Sequence, residues 1–199
     1  MPTLFRLTIV GTTHAEWSYT AAPVTSGNCV RTETSEGIRT VNFRTKAPVV
    51  VRLSGGRVLA VDVRGIMGKV TLGGANTTHE TCAGVGTSKV ADCAQTKRVF
   101  TNASVHAMSP RPGVLVLNGI ANVRLPRADC PLEPPGVRSR PLGPPLNLVR
   151  LPKQALMERR LARINLRASR SRHTAYGSPE AGSLDEDTEW TLTVVRVQG

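Results

Sequence analysis

Hydrophobic and polar residues alternate with a period of two along most of this chain. Near its beginning, Phe5, Leu7 and Ile9 alternate with Arg6 and Thr8. Because successive side chains of a β-strand point to opposite faces, this pattern predicts strands with one buried and one solvated face. Shorter runs of the same kind recur at 17–19, 41–43, 49–53, 59–63, 70–72, 99–105, 114–117, 120–125, 164–168 and 190–197. The chain is therefore predicted to be all-β, an antiparallel β-sandwich of about nine to eleven short strands in a single domain spanning 1–199.

Turn-forming residues divide these runs and predict which strands are neighbours. Ser54-Gly55-Gly56 predicts a hairpin between 49–53 and 59–63, and Asn118-Gly119 predicts the tight turn of a second hairpin. Residues 75–98, rich in Thr, Gly and Ser, are predicted to form a long loop, and 178–189 an acidic turn.

The segment 126–152 holds eight of the fourteen prolines. Proline fixes φ and has no N–H for a sheet ladder, so the segment is predicted to be an extended connection across the surface. One short helix is predicted from Lys153 to Arg163, where Leu156, Met157 and Leu161 follow Pro152 at near-helical spacing.

The first and last strands resemble each other. Glu16-Trp17-Ser18 is matched by Glu189-Trp190-Thr191. Since nothing else in the chain recurs, we expect neighbouring strands that hold an aromatic residue at the same depth, and not an internal repeat.

The four cysteines match no redox or zinc spacing and predict two structural disulfides. Three pairings are open, and we favour Cys82 with Cys93 and Cys29 with Cys130, because the first closes a short loop. A metal site built from His79, Cys82 and Cys93 is the alternative, but His79-x2-Cys82 has no matching second pair. We therefore predict no metal and no cofactor.

Structural disulfides predict an oxidising compartment, so we expect an extracellular or cell-surface protein. No run reaches the roughly 18 to 20 apolar residues that span a bilayer. Residues 1–11 have the pattern of a strand and not of a signal peptide. We expect that an export signal has been removed or that the native start lies elsewhere.

The chain is strongly basic, with 26 Lys and Arg against 14 acidic residues and a net charge of +12. Ten basic residues lie between Arg138 and Arg172, against the single acid Glu158. Such a stretch attracts acidic cell-envelope polymers or an anionic membrane surface, although a merely solvated basic face has the same composition. Nucleic acid is disfavoured, because no aromatic residue for stacking occurs there before Tyr176. The anion-binding candidates are Arg159, Arg160, Arg163 and Arg167.

Catalytic signatures are missing from the sequence. It contains neither a Gly-x-Ser-x-Gly elbow nor Ser-x-x-Lys, and its four histidines are scattered. We therefore favour a structural or binding role without catalysis. The alternative is an extracellular hydrolase whose site is assembled from distant residues, with His79 and Asp92 as its candidates.

Several short segments carry a resemblance to known proteins. They are Thr-Val-Asn-Phe-Arg-Thr-Lys-Ala-Pro-Val-Val-Val at 40–51, the loop from Cys82 to Asp92-Cys93, Cys130-Pro131, Leu151-Pro152-Lys153 and the closing Trp190-Thr-Leu-Thr-Val. In these the chain resembles a group of uncharacterised secreted β-sandwich proteins of GC-rich Gram-positive bacteria. The resemblance implies secretion and a β fold, and it implies no site residues.

Overall fold

The computed structural model describes residues 3–53, 59–111, 114–123, 133–135, 149–152 and 163–197. Within these ranges the chain is all-β and antiparallel, as predicted, and contains no helix. The strands are β1 (Thr3–Thr20), β2 (Val24–Ser26), β3 (Cys29–Thr45), β4 (Val49–Leu53), β5 (Leu59–Cys82), β6 (Val85–Arg111), β7 (Val114–Val123), β8 (Val149–Pro152), β9 (Arg163–Tyr176) and β10 (Ala181–Arg196).

The described strands join in one ten-stranded sheet, not in the two stacked sheets of the predicted sandwich. Its order is β8-β7-β6-β5-β3-β1-β10-β9, and the short β2 pairs with β3. β4 pairs with the first residues of β1, whereas β3 pairs with the rest of β1. β4 therefore continues the line of β3 beyond Pro48, and the predicted hairpin between 49–53 and 59–63 is wrong.

Strand length is the main departure from the sequence prediction. β5 and β6 run straight through 75–98, where a loop was predicted, and they turn only at Ala83 and Gly84. These two residues have φ of +48° and +84°, as a two-residue hairpin turn requires. Most side chains near the turn are exposed on both faces, so threonine and serine replace the apolar–polar alternation there without ending the strands.

Two further predicted turns are strands. β7 passes through Asn118 and Gly119, which lie opposite His106 and Val105 of β6, so the chain reverses between Arg111 and Val114 instead. The predicted acidic turn at 178–189 lies mostly in β10. The reversal before β10 is a turn in which the Glu180 amide donates to the Gly177 carbonyl at 3.1 Å.

The proline-rich connection and the helix fall largely outside the described residues. Residues 149–152 form β8 at the sheet edge, where Pro152 is tolerated. Pro134 is fully buried, so the connection does not lie wholly on the surface as predicted. Of the predicted helix, 153–162 lie outside the described ranges and Arg163 begins β9.

The first and last long strands are neighbours, as the resemblance between them predicts, because β1 pairs with β10 along its length. Their tryptophans are not at the same depth, however. The antiparallel register places Trp17 opposite Leu184 and Trp190 opposite Gly11.

One face of the sheet, which we call the inner face, forms the core. On β1 it carries the odd-numbered residues from Phe5 to Tyr19, all buried. A cluster of buried residues on this face joins β1, β5 and β10 and consists of Ala15, Trp17, Tyr19, Leu72 and Leu184. The Trp17 indole N–H donates to the Ser35 hydroxyl at 3.2 Å, so burial leaves this donor satisfied.

Gly37 of β3 leaves the space that the Trp17 ring fills. A Cβ at Gly37 would lie 2.2 Å from Trp17 Cζ2, whereas a Cβ at Gly73 would meet no atom within 4 Å. We expect Gly37→Ala to lower the free energy of unfolding by about 1 to 3 kcal/mol through overpacking. Gly73→Ala is the matched control and should change it by less than about 1 kcal/mol. Urea denaturation measures both, and equal effects would contradict this account of Gly37.

The disulfide joins Cys29 to Cys82, so both pairings favoured from the sequence are wrong. These residues are separated by 53 positions in the chain but are opposite each other in the β3–β5 register, with Cα atoms 4.1 Å apart. Strand register, and not loop length, decides the pairing. Cys93 is buried on β6, and no described cysteine has a free thiol.

Candidate functional site

The face opposite the core, the outer face, is polar and unevenly charged. It carries the even-numbered residues of β1 and β3 and the odd-numbered residues of β10. Threonines cover much of it, and two groups of charged side chains lie apart on it.

Three cations meet on the outer face. Lys69 of β5 lies directly opposite Arg98 of β6, and Asn42 of β3 lies opposite Lys69 on its other side. Arg44, two residues after Asn42, is the diagonal neighbour of Lys69. All three cations are exposed. We call Arg44, Lys69 and Arg98 the basic patch.

The basic patch lies in a shallow concavity that also includes Thr12 and Asn42. The Thr12 hydroxyl donates to Asn42 Oδ1 at 2.8 Å. Because its oxygen is engaged as an acceptor, Asn42 presents its amide N–H groups as donors. The concavity thus combines three positive charges with neutral hydrogen-bond donors, which is the chemistry that an anionic group with several oxygens requires.

Like charges directly opposite each other on neighbouring strands destabilise a sheet. Within the described ranges, no acidic residue forms an ion pair with any member of the basic patch. The acid in the same row is Glu189, opposite Thr12, three strand spacings or about 14 Å from Lys69. A bound anion would remove this repulsion, so the arrangement favours one.

The second group is acidic and lies nearer the disulfide. Asp185 is directly opposite Glu16, and Glu36 is the diagonal neighbour of Glu16. His173 of β9 contacts Asp185, with Nδ1 and Oδ1 2.7 Å apart. Glu16 is four residues from Thr12 along β1, about 13 Å, so the outer face has one positive and one negative region.

The anion-binding residues proposed from the sequence are only partly placed. Arg163 and Arg167 are exposed on β9, and Arg163 Nε donates to Asn165 Oδ1 at 3.2 Å. Arg167 is aligned with Arg44 across the sheet but three strand spacings away, about 14 Å. Arg159 and Arg160 lie outside the described residues.

Sequence reasoning missed the basic patch, because its members come from positions 44, 69 and 98. A search for charge runs finds only the stretch 138–172. The sequence contained only a weaker signal, since each of these three cations occupies a polar position of an alternating segment. Strand register alone brings those positions together.

The catalytic candidates do not meet. Asp92 lies opposite Ala75 on β5, four residues or about 13 Å from His79 along that strand. His79 instead contacts the Ser88 hydroxyl through Nδ1 at 2.7 Å, on an exposed part of the hairpin. His79 is therefore not a base positioned by Asp92.

The alternative metal site of His79, Cys82 and Cys93 is also wrong, because one of its ligands is not available. The Cys82 sulfur is bonded to Cys29, so it cannot ligate a metal as a thiolate. Ligand atoms of Cys29, Glu80 and Cys82 lie within 4.8 Å of one another, but two of them are the sulfurs of this disulfide.

Tyr19 is a buried titratable group in the core cluster. Its hydroxyl donates to Glu180 Oε1 at 2.6 Å, and its ring packs edge-to-face on Tyr176 with centroids 5.0 Å apart. Burial first, and then the hydrogen bond to the Glu180 carboxylate, raises the pKa of Tyr19 far above its ordinary value of 10.0.

This raised pKa predicts loss of stability in alkali. Above about pH 10 the unfolded chain releases the Tyr19 proton while the folded chain keeps it, so stability present below pH 10 falls as the pH rises. We expect Tyr19→Phe to have a lower free energy of unfolding than the native chain at pH 8. Above pH 10 the gap between the two free energies should narrow by about 1.4 kcal/mol per pH unit. Urea midpoints at pH 8 and 11 measure this, and a constant difference would contradict it.

Comparison with known proteins gives no family. No family model and no curated protein matches the chain. Among solved structures, Ail, the attachment invasion locus protein of Yersinia pestis, is similar with 7% identity over 99% of this chain and 100% of that chain, at a TM-score of 0.22. The type II secretion system (T2SS) secretin XcpQ of Pseudomonas aeruginosa has 10% identity over 100% of this chain and 59% of that chain, at a TM-score of 0.21. At such TM-scores neither similarity identifies a shared fold.

The described ranges contain no helix that is long and apolar enough to cross a membrane.

Proposed function

We propose that this chain is a secreted or cell-surface protein without a catalytic centre that binds an acidic polymer of the cell envelope on its basic patch. The observation that carries the proposal is the direct opposition of Lys69 and Arg98, with Arg44 as diagonal neighbour. A polymer with anionic groups at close spacing neutralises all three cations together, whereas a neutral ligand neutralises none.

The separation of the acidic and basic regions on the outer face also indicates how a bound polymer would be oriented. Glu16, Glu36 and Asp185 repel a polyanion from the end of the sheet nearer the disulfide. The polymer would therefore cross the strands at the basic patch, in the direction of the row that joins Asn42, Lys69 and Arg98. A flat membrane surface would meet the acidic region as well, so a polymer is the better match.

The extracellular location is supported by the Cys29–Cys82 disulfide, since such bonds persist in oxidising compartments. With these two cysteines joined, we propose that Cys93 is bonded to Cys130, whose position lies outside the described residues. Mass spectrometry of peptides from the unreduced protein of the native host tests both statements. Free thiols in that sample would contradict the extracellular location. They would also remove the support for placing the chain among the secreted proteins of GC-rich Gram-positive bacteria.

The binding test compares two variants that lose the same charge. Arg44→Gln/Lys69→Gln/Arg98→Gln removes the basic patch, and Lys89→Gln/Arg163→Gln/Arg167→Gln removes three exposed cations elsewhere. With polyphosphate and polyglutamate as probes, we expect the first variant to bind about 10- to 100-fold more weakly than the native chain, from about 0.5 to 1 kcal/mol per contact. The affinity of the second variant for the same probes should change by less than about threefold.

Salt dependence provides the second readout. Removal of three contacts should reduce the slope of log K against log salt by about two, if a flexible polyanion releases about 0.7 counterion per contact. Equal losses in both variants would show that only net charge matters and would overturn the assignment to this patch. A greater loss in the second variant would favour the β9 residues instead.

Two further outcomes test the class of ligand and the absence of catalysis. Single-stranded DNA that bound more tightly than polyphosphate of equal charge would favour nucleic acid over an envelope polymer. Robust turnover of glycosides, esters or peptides by the purified chain would overturn the non-catalytic assignment.

A further inference from the structure

β9 forms one edge of the sheet. Within the described part of the chain it pairs with β10 and with no other strand. The five consecutive residues from Ser169 to His173 are exposed, on both faces of the strand. Among the described residues, no strand pairs with the second edge of β9, which carries a row of backbone donors and acceptors.

The charge of β9 is of one sign. It contains Arg163, Arg167, Arg170 and Arg172 and no acidic residue. The strand that the fold itself pairs with β9 is acidic: residues 184–190 of β10 contain Asp185, Glu186, Asp187 and Glu189. In the register, Glu186 lies opposite Arg172, and Asp185 lies opposite His173 with the 2.7 Å contact already described.

We propose that the free edge of β9 binds an extended acidic segment of another protein by strand addition. Backbone hydrogen bonds would hold the segment, and Arg170 and Arg172 would pair with carboxylates on its alternate residues. Charge complementarity excludes a second copy of this chain as the preferred occupant, because two antiparallel β9 strands would bring arginines together. The surface is separate from the basic patch, so this inference does not depend on the proposed function.

The probe is a fluorescent peptide with the sequence of residues 183–191, Ser-Leu-Asp-Glu-Asp-Thr-Glu-Trp-Thr, which reproduces the acidic strand that β9 already accepts. Fluorescence anisotropy with the full chain measures its affinity. We expect the peptide in which Asn and Gln replace Asp and Glu to bind about tenfold more weakly. Arg170→Gln/Arg172→Gln in the protein should cause a similar loss.

Backbone methylation separates strand addition from simple charge attraction. Two peptides are methylated on alternate amide nitrogens, one on the odd and one on the even positions. Because alternate N–H groups of an added strand point toward its neighbour, one peptide should bind about 10- to 100-fold more weakly and the other about as well as the parent. Equal affinity, or equal loss, in both peptides would overturn strand addition.

NMR chemical shifts identify the strand that is contacted. Shifts at β9 amides support the proposal, whereas shifts at β1 amides, expected if the peptide displaced β10, would overturn it. A dimer of the unliganded chain in light scattering would assign the edge to a second copy and would also overturn it. The Arg44→Gln/Lys69→Gln/Arg98→Gln variant should bind the peptide unchanged, so that failure of one proposal leaves the other distinguishable.

Discussion

Replacing Arg39 by Met is expected to lower the free energy of unfolding by about 3 to 5 kcal/mol. The Arg39 side chain is 2% exposed, and its guanidinium contacts Glu133 at 3.4 Å and Glu186 at 4.0 Å. Glu133 is itself 3% exposed, so the variant removes the Arg39 charge from beside a buried carboxylate. Breaking a buried pair costs more than the pair contributes, because the remaining charge has already lost its water.

The chain offers a matched control in the exposed pair Arg31–Glu33, whose side chains are 53% and 35% exposed. Arg31→Met should cost less than about 1 kcal/mol. The double variant Arg39→Met/Glu133→Gln should regain part of the loss, since it also removes the buried carboxylate charge that Arg39 faced. Urea denaturation at pH 7 measures all three. If Arg39→Met cost no more than Arg31→Met, the buried ion pair would not stabilise the fold.

The position of this ion pair explains the size of the expected effect. Glu133 and the fully buried Pro134 belong to the proline-rich connection, whereas Arg39 lies in the middle of β3. The next residue, Pro135, accepts a hydrogen bond from the Tyr176 hydroxyl at 3.1 Å. Glu133, Pro134 and Pro135 therefore attach the connection to the sheet, and loss of Arg39 would remove one of these contacts.

The second large effect is expected from Cys29→Ser/Cys82→Ser. The bond closes a loop across 53 positions, which in the loop-entropy model stabilises the fold by about 4 kcal/mol. We expect the double variant to lose about 2 to 4 kcal/mol in urea denaturation without reductant. Hydrogen exchange should increase most at the hairpin end of β5 and β6, because the bond lies beside their turn.

The native chain in reductant is the internal comparison for this variant. It should be no more stable than the double variant without reductant, since reduction breaks the same bond. A loss below about 1 kcal/mol would contradict a stabilising role for the disulfide.

Side-chain alternation was sufficient to predict strands where one face is buried. Phe5, Leu7 and Ile9 lie in β1 on the inner face as the pattern requires. The same signal fails at 75–98, because both faces of β5 and β6 are exposed near Ala83 and no alternation is needed there. Turn propensity is the signal that fails at Asn118-Gly119, because pairing with β6 holds these residues in a strand.

Pairings between distant residues required the tertiary structure. Loop length favoured Cys82 with Cys93, but the bond forms where register places two sulfurs on neighbouring strands. The basic patch has the same origin, since Lys69 and Arg98 are 29 positions apart and meet only through the β5–β6 ladder. Neither could be read from spacing, because a shift of register by one residue would move one member to the other face.

The amino-acid sequence by itself determined the β class, the face that each alternating residue occupies and the strongly basic character of the chain. These are local properties, since they depend on the two-residue period of a strand and on composition. The tertiary structure decided strand length, sheet order, the Cys29–Cys82 bond and the residues of the basic patch. Those depend on which strands pair and in which register, and burial of the inner face where β1, β3, β5 and β10 meet favours that pairing.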